Sequence, residues 1–335
     1  MKAIGYQKSL PIDDSSSLVD IELPSPVANG RDLLVEIKAV AVNPVDTKVR
    51  VREEPPPGEY RVLGWDAAGI VKAIGEGVQL FKPGDEVWYA GDITRPGTNS
   101  ELHLVDERIV GLKPKNLSFE KAAALPLTSL TAWELLFDRL GVMASEKSSL
   151  LITGAAGGVG SILVQLARQL TTLTIIGTAS RKDSKKWILE QGAHHVIDHS
   201  KPMHEQLLAL GINEVDYVIS LTHTDEHAEE LVKCLKPQSK FALIDDPTHI
   251  DIRLFKPKSI SIHWEMMYTR SKFKTLDMVK QHHILNEVAH LVEKGVIKTT
   301  FNESFGTINA ENLRKAHKLL ESGQSRGKIV LSGWA

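Results

Sequence analysis

The first third of the chain carries short runs in which apolar and polar residues alternate. Examples are 33–41 (LLVEIKAVA), 67–74 (AAGIVKAI), 85–89 (DEVWY) and 100–105 (SELHLV). Glycine, proline, asparagine and aspartate separate these runs, which is typical of short strands joined by turns. We therefore predict a small β-barrel, in which the proline-rich stretch 51–61 (VREEPPPGEYR) forms an exposed surface connection.

After residue 125 the pattern changes to short apolar runs that alternate with helical stretches. Strands are predicted at 150–153, 173–178, 195–197, 217–220 and 241–244, and helices at 159–170 and 184–191. Strands that alternate with helices of about ten residues indicate parallel βαβ units. We predict a doubly wound parallel sheet within residues 128–261.

The last part of the chain contains two helical stretches, 276–294 and 310–322, and ends in the apolar run 328–331. This run has no βαβ partner of its own, so we predict that it pairs with the sheet of the first domain. The predicted fold class is α/β, with residues 1–127 and 262–335 in one domain and residues 128–261 in the other.

Composition narrows the range of expected binding partners and of expected cellular compartments. The near balance of 40 Lys+Arg against 42 Asp+Glu gives no electrostatic reason to expect nucleic acid or an anionic membrane, and a small neutral ligand fits better. Cys234 is the only cysteine, which excludes an intrachain disulfide, so a cytoplasmic location is expected. No segment approaches the roughly 18 uninterrupted apolar residues of a transmembrane helix.

A glycine-rich turn lies between the predicted strand 150–153 and the helix that follows it. The turn reads Gly154-Ala-Ala-Gly157-Gly158-Val-Gly160. Bare backbone at a helix N-terminus offers unpaired N–H groups and a favourable dipole to a pyrophosphate. The alternative is that the glycines serve only the turn. The predicted dinucleotide contacts are Gly154, Ala156, Gly157, Gly158, Val159 and Gly160.

In a dinucleotide-binding domain, residues at the end of the second strand contact the adenosine ribose of the cofactor. NAD-binding sites carry an acid there for the ribose hydroxyls. This chain instead has Ser180, Arg181 and Lys182, which suit a 2′-phosphate. The two cations could be merely solvated, but cations are disfavoured at a helix start that binds no anion. We therefore expect NADPH.

Several short motifs are spread over nearly the whole chain. They are Asn43-Pro-Val-Asp46, Gly64-Trp-Asp-Ala-Ala-Gly69, Gly75-Glu-Gly-Val, Phe81-Lys-Pro-Gly-Asp85, Ala122-Ala-Ala-Leu-Pro126, Thr131-Ala-Trp and the glycine turn. Together they resemble the medium-chain dehydrogenase/reductase superfamily, in particular its quinone oxidoreductase-like branch of "zinc-type alcohol dehydrogenase-like" proteins. The resemblance implies a GroES-like catalytic domain, a Rossmann domain and a homodimer formed through edge strands.

The zinc ligands of that superfamily are replaced in this chain. Zinc-using members have a cysteine in the region of 43–45 and a His-Glu pair where this chain has Trp65 and Asp66. A catalytic zinc needs about three protein ligands. His223 and His227 have the i, i+4 spacing of a helical metal pair, but no third ligand is evident. No metal is expected.

Further site residues come from the resemblance and from strand ends. The resemblance implies that Asn43, Asp46 and Thr128 lie near the nicotinamide, and that Lys48 replaces a family tyrosine. It also implies that His199 is a second contact of the 2′-phosphate and that Lys328 lies near the cofactor. Candidate donors to a substrate oxygen are Lys48, Arg50 and Tyr60, with a solvated surface position as the alternative for each. Because the binding edge of such sheets lies at the strand C-termini, backbone contacts are predicted at Leu221, Thr222, Leu243 and Ile244.

Three functions remain open from the sequence. The first is NADPH-dependent, zinc-independent hydride transfer to a quinone or an α,β-unsaturated carbonyl, since conjugated acceptors need less electrostatic help than simple ketones. The second is a zinc-dependent alcohol or aldehyde dehydrogenase with an atypical metal site. The third is an NADPH-binding protein without physiological catalysis.

Overall fold

The computed structural model describes residues 1–334 and divides the chain into two compact units. The first unit consists of Met1–Leu130 and the chain from Tyr268 onward, and the second is Thr131–Met267. The second unit thus begins three residues after the predicted boundary at 128 and ends six residues after the predicted boundary at 261. It is inserted between the two segments that form the first unit.

The helices and strands are numbered in chain order. The strands are β1 Lys2–Tyr6, β2 Val19–Glu22, β3 Asp32–Ala41, β4 Arg61–Val62, β5 Ala67–Ile74, β6 Glu86–Tyr89, β7 Leu102–Asp106, β8 Val110–Leu112, β9 Ser149–Ile152, β10 Thr174–Thr178, β11 His195–Ile197, β12 Val215–Ser220, β13 Leu235–Leu243, β14 Ser261–Trp264, β15 Phe301–Ser304 and β16 Lys328–Ser332. The α-helices are α1 Pro44–Arg52, α2 Phe119–Ala123, α3 Pro126–Trp133, α4 Gly158–Leu170, α5 Lys182–Glu190, α6 Met203–Ala209, α7 Thr224–Cys234, α8 Thr269–Lys272, α9 Lys280–Glu293 and α10 Ala310–Glu321.

The second unit is built on a six-stranded parallel sheet. Its strand order is β11-β10-β9-β12-β13-β14, which is the order of a doubly wound dinucleotide-binding sheet. All four residues of β9 are buried, as expected for a central strand with both faces covered. Its core includes Leu151, Ile176, Val218 and Phe241. The predicted α/β fold class is confirmed.

The first unit contains a seven-stranded sheet, β15-β16-β3-β5-β6-β8 with β7 on β3, and a three-stranded sheet, β2-β1-β4. Residues 32–39 of β3 alternate between partly and fully buried, which matches the period-two pattern of the sequence, and the last two residues of the strand are also buried. The C-terminal strand β16 pairs antiparallel with β3, with Leu331 opposite Val40. The predicted return of the chain end to the first domain is therefore confirmed.

Three elements depart from the sequence predictions. Helix α1 runs into the proline-rich stretch that was predicted as a loop, although residues 53–60 contain no helix or strand. Strand β14 adds to β13, so the parallel sheet extends beyond residue 261. The helix predicted from 276 begins at Lys280. Within the described residues, no helix is both long and apolar enough to cross a membrane.

Candidate active site

The glycine-rich turn connects β9 to α4 at the carboxyl end of the parallel sheet. Gly157 is the N-cap of α4, and Gly154 has a φ of +66°. A Cβ on Gly160 would lie 2.5 Å from the Cα of Ala155, so the turn packs against the helix more closely than any side chain permits. The turn therefore leaves the backbone N–H groups at the start of α4 bare, as a pyrophosphate site requires.

The remaining predicted cofactor contacts of the second unit meet at the same edge of the sheet. Because the strands are parallel, their carboxyl ends lie side by side. Ser180–Lys182 follow β10, His199 follows β11 and Leu221–Thr222 follow β12, while Leu243 ends β13. Ile244 follows directly, and its N–H donates to the carbonyl of Ser220. The structure thus brings these residues to one edge.

A chain of buried hydroxyl groups fixes the shape of this edge. The hydroxyl groups of Thr153 and Ser220 are 3.2 Å apart, and that of Ser220 is 2.7 Å from the hydroxyl of Thr224. Thr224 also donates to Asp245, from its hydroxyl (2.5 Å) and its backbone N–H (2.9 Å). Thr153 accepts the N–H of Leu221 at 3.1 Å. These hydrogen bonds join the carboxyl ends of β9, β12 and β13, a role of the hydroxyl groups that the sequence did not predict.

The end of β10 is positively charged and exposed. Arg181 is the N-cap residue of α5, and Lys182 begins that helix. Both side chains are exposed, and neither forms a hydrogen bond or an ion pair within residues 1–334. No carboxylate lies between the end of β10 and Lys182, because the segment reads Thr178-Ala-Ser-Arg-Lys. The local charge therefore suits an anion.

The first unit holds a buried polar cluster formed by Asn43, Asp66 and Lys328. The ammonium of Lys328, which is 3 % exposed, donates to Asp66 Oδ2 at 2.8 Å, to the carbonyl of Val42 at 3.0 Å and to Asn43 Oδ1. Asn43 Nδ2 donates to Asp66 Oδ2 at 2.9 Å, and the N–H of Leu127 donates to Asp66 Oδ1 at 2.8 Å. Burial raises the pKa of Asp66, and these donors oppose that rise.

Asp46 lies beside this cluster in the first turn of α1. Its Oδ2 accepts the N–H of Asn43 at 2.7 Å, so Asn43 and Asp46 form a capping box at the start of the helix. Burial raises the pKa of Asp46 to about 7, against the opposing effects of the Asn43 N–H and the Lys328 ammonium. The structure therefore brings Asn43 and Asp46, two of the five residues predicted to take part in catalysis, together in the interior of the first unit.

Internal contacts correct the role predicted for Arg50 and define the surroundings of Lys328. Arg50 was predicted as a donor to substrate, but its guanidinium is buried and donates to Glu321 and to the carbonyl of Leu10. It therefore joins α1 to α10 as a structural residue. Lys328 was predicted to lie near the cofactor, and its ammonium is bound by three acceptors of its own unit. It neutralises Asp66, and its contact with the cofactor stays a prediction.

The other predicted residues of the first unit are placed as follows. Lys48 is half-buried on α1, and Tyr60 is 42 % exposed just before β4. Thr128 is buried in α3, and its hydroxyl donates to the carbonyl of Leu125 at 3.1 Å. The contacts of these residues with substrate or cofactor stay predictions.

The donor set at the positions of the family's zinc ligands does not fit a catalytic zinc. Trp65 offers only an indole N–H, which donates to the carbonyl of Asp92. Asp66 is bound to the Lys328 ammonium, and Asn43 is a neutral amide. Cys234 lies in the other unit, where burial raises its pKa to about 12. Residues 1–334 contain no cluster of three His, Cys, Asp or Glu able to hold a metal.

Comparisons with known proteins agree with this architecture. A family described as "Zinc-binding dehydrogenase" matches residues 191–331, and the "Alcohol dehydrogenase GroES-like domain" matches residues 29–115. A zinc-type alcohol dehydrogenase-like protein of Staphylococcus epidermidis is 37 % identical over 99 % of both chains. The predicted GroES-like assignment is thus confirmed.

Two solved structures are similar over almost the whole chain. A protein of Rhizobium etli CFN 42, described on a provisional basis as a zinc-dependent alcohol dehydrogenase, is 56 % identical, with a TM-score of 0.97 and coverage of 100 % of this chain and 98 % of that one. The Escherichia coli quinone oxidoreductase complexed with NADPH is 27 % identical, with a TM-score of 0.84 and coverage of 99 % and 100 %.

The fold and the glycine-turn site define an oxidoreductase of the class that uses a nicotinamide cofactor. The chain belongs to the medium-chain dehydrogenase/reductase superfamily, within its quinone oxidoreductase-like branch.

Proposed function

We propose that this protein transfers hydride from NADPH to a quinone or an α,β-unsaturated carbonyl without a zinc ion. The observation that carries the proposal is the charge at the end of β10, where Arg181 and Lys182 stand exposed and no acid precedes them. NADPH, when bound, supplies two electrons and a proton as hydride, and the second proton comes from solvent or a side chain.

The cofactor choice rests on the chemistry of the phosphate group. A 2′-phosphate carries nearly two negative charges and accepts several hydrogen bonds, which the guanidinium of Arg181 can satisfy as a fork. Ser180, also exposed, adds a hydroxyl. The similarity to a quinone oxidoreductase complexed with NADPH supports this choice.

Zinc independence rests on the donor set. A metal-dependent alcohol dehydrogenase needs a Lewis acid to polarise the substrate oxygen. At the positions of the family's zinc ligands, this chain has the indole of Trp65, the amide of Asn43 and the carboxylate of Asp66, which is already paired with Lys328. Quinones and enones spread the developing charge over a conjugated system, so positioning and hydrogen-bond donors can suffice.

The first unit supplies the candidate groups for substrate. Asn43 and Asp46 are held rigidly by the buried cluster, and Asp46 exchanges a proton near neutral pH because burial raises its pKa to about 7. Lys48 and Tyr60 are the proposed donors to the substrate oxygen, since both keep exposed surface. The loop 53–60 that precedes β4 carries Tyr60.

A fluorescence titration tests the cofactor choice. Arg181→Ala should weaken NADPH binding about ten- to a hundredfold, since it removes charged hydrogen bonds, and should leave NADH binding unchanged. Lys186→Ala is the matched control, because Lys186 is an exposed cation of the same helix whose partner is Glu190. Equal affinity of the parent protein for NADPH and NADH would contradict the proposal.

Turnover and metal content test the chemistry. NADPH oxidation should proceed with 1,4-benzoquinone or 2-cyclohexenone and survive dialysis against a chelator. Stoichiometric zinc that is required for turnover would favour an atypical alcohol dehydrogenase instead. Tight NADPH binding without turnover on either acceptor would favour a binding protein without physiological catalysis.

We also propose a cytoplasmic homodimer. Strand β14 forms one edge of the parallel sheet and carries the exposed Trp264, so a second copy could extend the sheet there. Light scattering on the purified protein measures the oligomeric state, and a monomer at micromolar concentration would contradict this assignment.

A further inference from the structure

Three histidines gather beside the proposed phosphate position, from two different elements. His199 follows β11, whereas His223 and His227 lie at the start of α7. The rings of His199 and His227 are 5.8 Å apart between centroids and inclined by 54°. His223 is the N-cap residue of α7 in a left-handed conformation, with a φ of +53°, and its Nδ1 is 2.7 Å from the hydroxyl of Thr222.

The strand register brings this group next to Arg181. Thr178 of β10 pairs with Ile197 of β11, so Arg181 and His199 lie a few residues beyond a shared pair at the same sheet edge. Consistent with that placement, the charges of Arg181 and Lys185 act on His199. The histidines therefore adjoin the cation that is proposed to bind the 2′-phosphate.

The rings of His199 and His227 are half-buried, and within residues 1–334 neither ring forms a hydrogen bond. Their nitrogens are not among the fully buried polar atoms that lack a partner, so they keep access to solvent and can bind a ligand. The same part of the chain offers no three-ligand metal cluster here. An anion is the ligand class that fits two imidazoles beside an arginine.

The charges around the two rings set their protonation. Burial is the largest effect and lowers the pKa of His199, while Asp198 raises it and His223, Lys185 and Arg181 lower it. The pKa of His227 is likewise lowered by burial and by its neighbours His199 and His223, against Glu226 and Asp225. At neutral pH both rings are therefore largely uncharged while the site holds no anion.

We propose that His199 and His227 bind the 2′-phosphate of NADPH as imidazolium ions, so that binding of NADPH, but not of NADH, takes up protons. This inference rests on the proposed NADPH preference. A phosphate beside the rings favours their charged form, which opposes the effect of burial. The preference for NADPH over NADH should therefore be greatest near pH 6 and fall as the pH rises.

Dissociation constants for both cofactors between pH 6 and 8.5 test this coupling. In the parent protein the NADPH/NADH affinity ratio should fall by at least about tenfold across that range, because uptake of one proton on binding changes the ratio about tenfold for each pH unit over which it occurs. His199→Gln/His227→Gln should keep a weaker, nearly pH-independent preference through Arg181. His195→Gln is the matched control, because His195 begins β11, the strand that His199 follows, but does not belong to the ring pair; this variant should behave as the parent protein.

Proton uptake can be measured directly. Calorimetric titration with NADPH in two buffers of different ionisation enthalpy should show uptake of about one-half to one proton at pH 7, absent in the double variant and absent with NADH. An NADPH preference without proton uptake, or uptake unchanged in the double variant, would overturn the inference alone. No preference for NADPH at any pH would overturn the proposed function with it.

Discussion

The buried cluster of the first unit and the sheet edge of the second use polar side chains in opposite ways. In the cluster, every donor of the Lys328 ammonium is taken by Asp66, Asn43 or a backbone carbonyl. At the edge, Arg181 is exposed and forms no ion pair within the described chain. The cluster therefore stabilises the fold, whereas the edge keeps its charge available for a ligand.

The difference shows that a charged residue predicted from sequence to lie near a site can have all of its hydrogen bonds satisfied within its own unit. Lys328 and Arg181 were both predicted as cofactor contacts from the sequence, and only their surroundings separate them. Burying a charge costs several kcal/mol unless a partner compensates it, so a buried lysine indicates an internal partner. An exposed arginine carries no such cost.

The largest expected effect is that of Lys328→Met. The change leaves Asp66 buried without its cation, which should cost about 3–5 kcal/mol of unfolding free energy. Urea unfolding measures the loss. Lys38→Met is the matched control, because Lys38 forms a partly exposed pair with Glu36 at 2.6 Å and its loss should cost less than about 1 kcal/mol. Lys328→Met/Asp66→Asn should recover part of the loss, and a cost for Lys328→Met no greater than the control would contradict this account.

The next effect concerns the packing of the glycine turn. In Gly160→Ala the new Cβ meets the backbone of Ala155 at 2.5 Å, which should destabilise the second unit by about 2–3 kcal/mol and weaken cofactor binding. In Gly157→Ala the nearest atom is 3.4 Å away, so only the poorer capping by alanine should matter and stability should fall by less than about 1 kcal/mol. Equal thermal midpoints for the two variants would show that the turn adapts.

A buried histidine of the first unit should govern the acid limit of stability. Burial and the charge of Arg50 lower the pKa of His317 to about 3, and neither ring nitrogen has a hydrogen-bond partner among residues 1–334. Because the unfolded ring titrates near pH 6.5, its stabilising effect is complete above that pH and is lost as the pH falls toward 3.

His317→Leu should therefore remove about 2 kcal/mol of the loss in stability between pH 6.5 and pH 5, as measured by urea unfolding at each pH. His290→Gln, an exposed position on α9, is the control and should keep the acid limit of the parent protein. An unchanged slope in His317→Leu would assign the acid limit to other groups.

The smallest expected effect on stability is that of Arg181→Ala, at the sheet edge of the second unit. Arg181→Ala should change the unfolding free energy by less than about 0.5 kcal/mol without cofactor, since the side chain is exposed and unpaired within the described residues. With saturating NADPH the parent protein should unfold at a higher temperature than the variant. A large loss of stability without cofactor would mean that Arg181 has a structural partner.

Local patterns predicted the second unit well. The strand, the glycine turn and the helix that follow one another at 149–170 form a continuous signal, and Arg181 follows directly from the next strand. The period-two runs likewise predicted β3 and β5. These features depend on neighbours in sequence, so periodicity and turn chemistry are sufficient to find them.

Other features depend on residues that are distant in sequence. Asp66 and Lys328 are 262 residues apart, and no local pattern pairs them. Helix α1 was missed because its apolar residues do not follow a helical period; its start is defined by the capping box of Asn43 and Asp46 and by Pro44. The proximity of His199 and His227 could not be predicted from the sequence, because it depends on the register of the parallel sheet.

The pairing of β16 with β3 also sets an order of events during synthesis. The second unit is one continuous segment and can fold once residue 267 has left the ribosome. The first unit cannot complete its sheet until residues 328–332 emerge, because they form β16, which carries Lys328 and pairs with β3. Throughout most of translation Asp66 therefore lacks its cation, so a nascent chain that stops short of residue 328 exposes an unfinished sheet to chaperones and proteases.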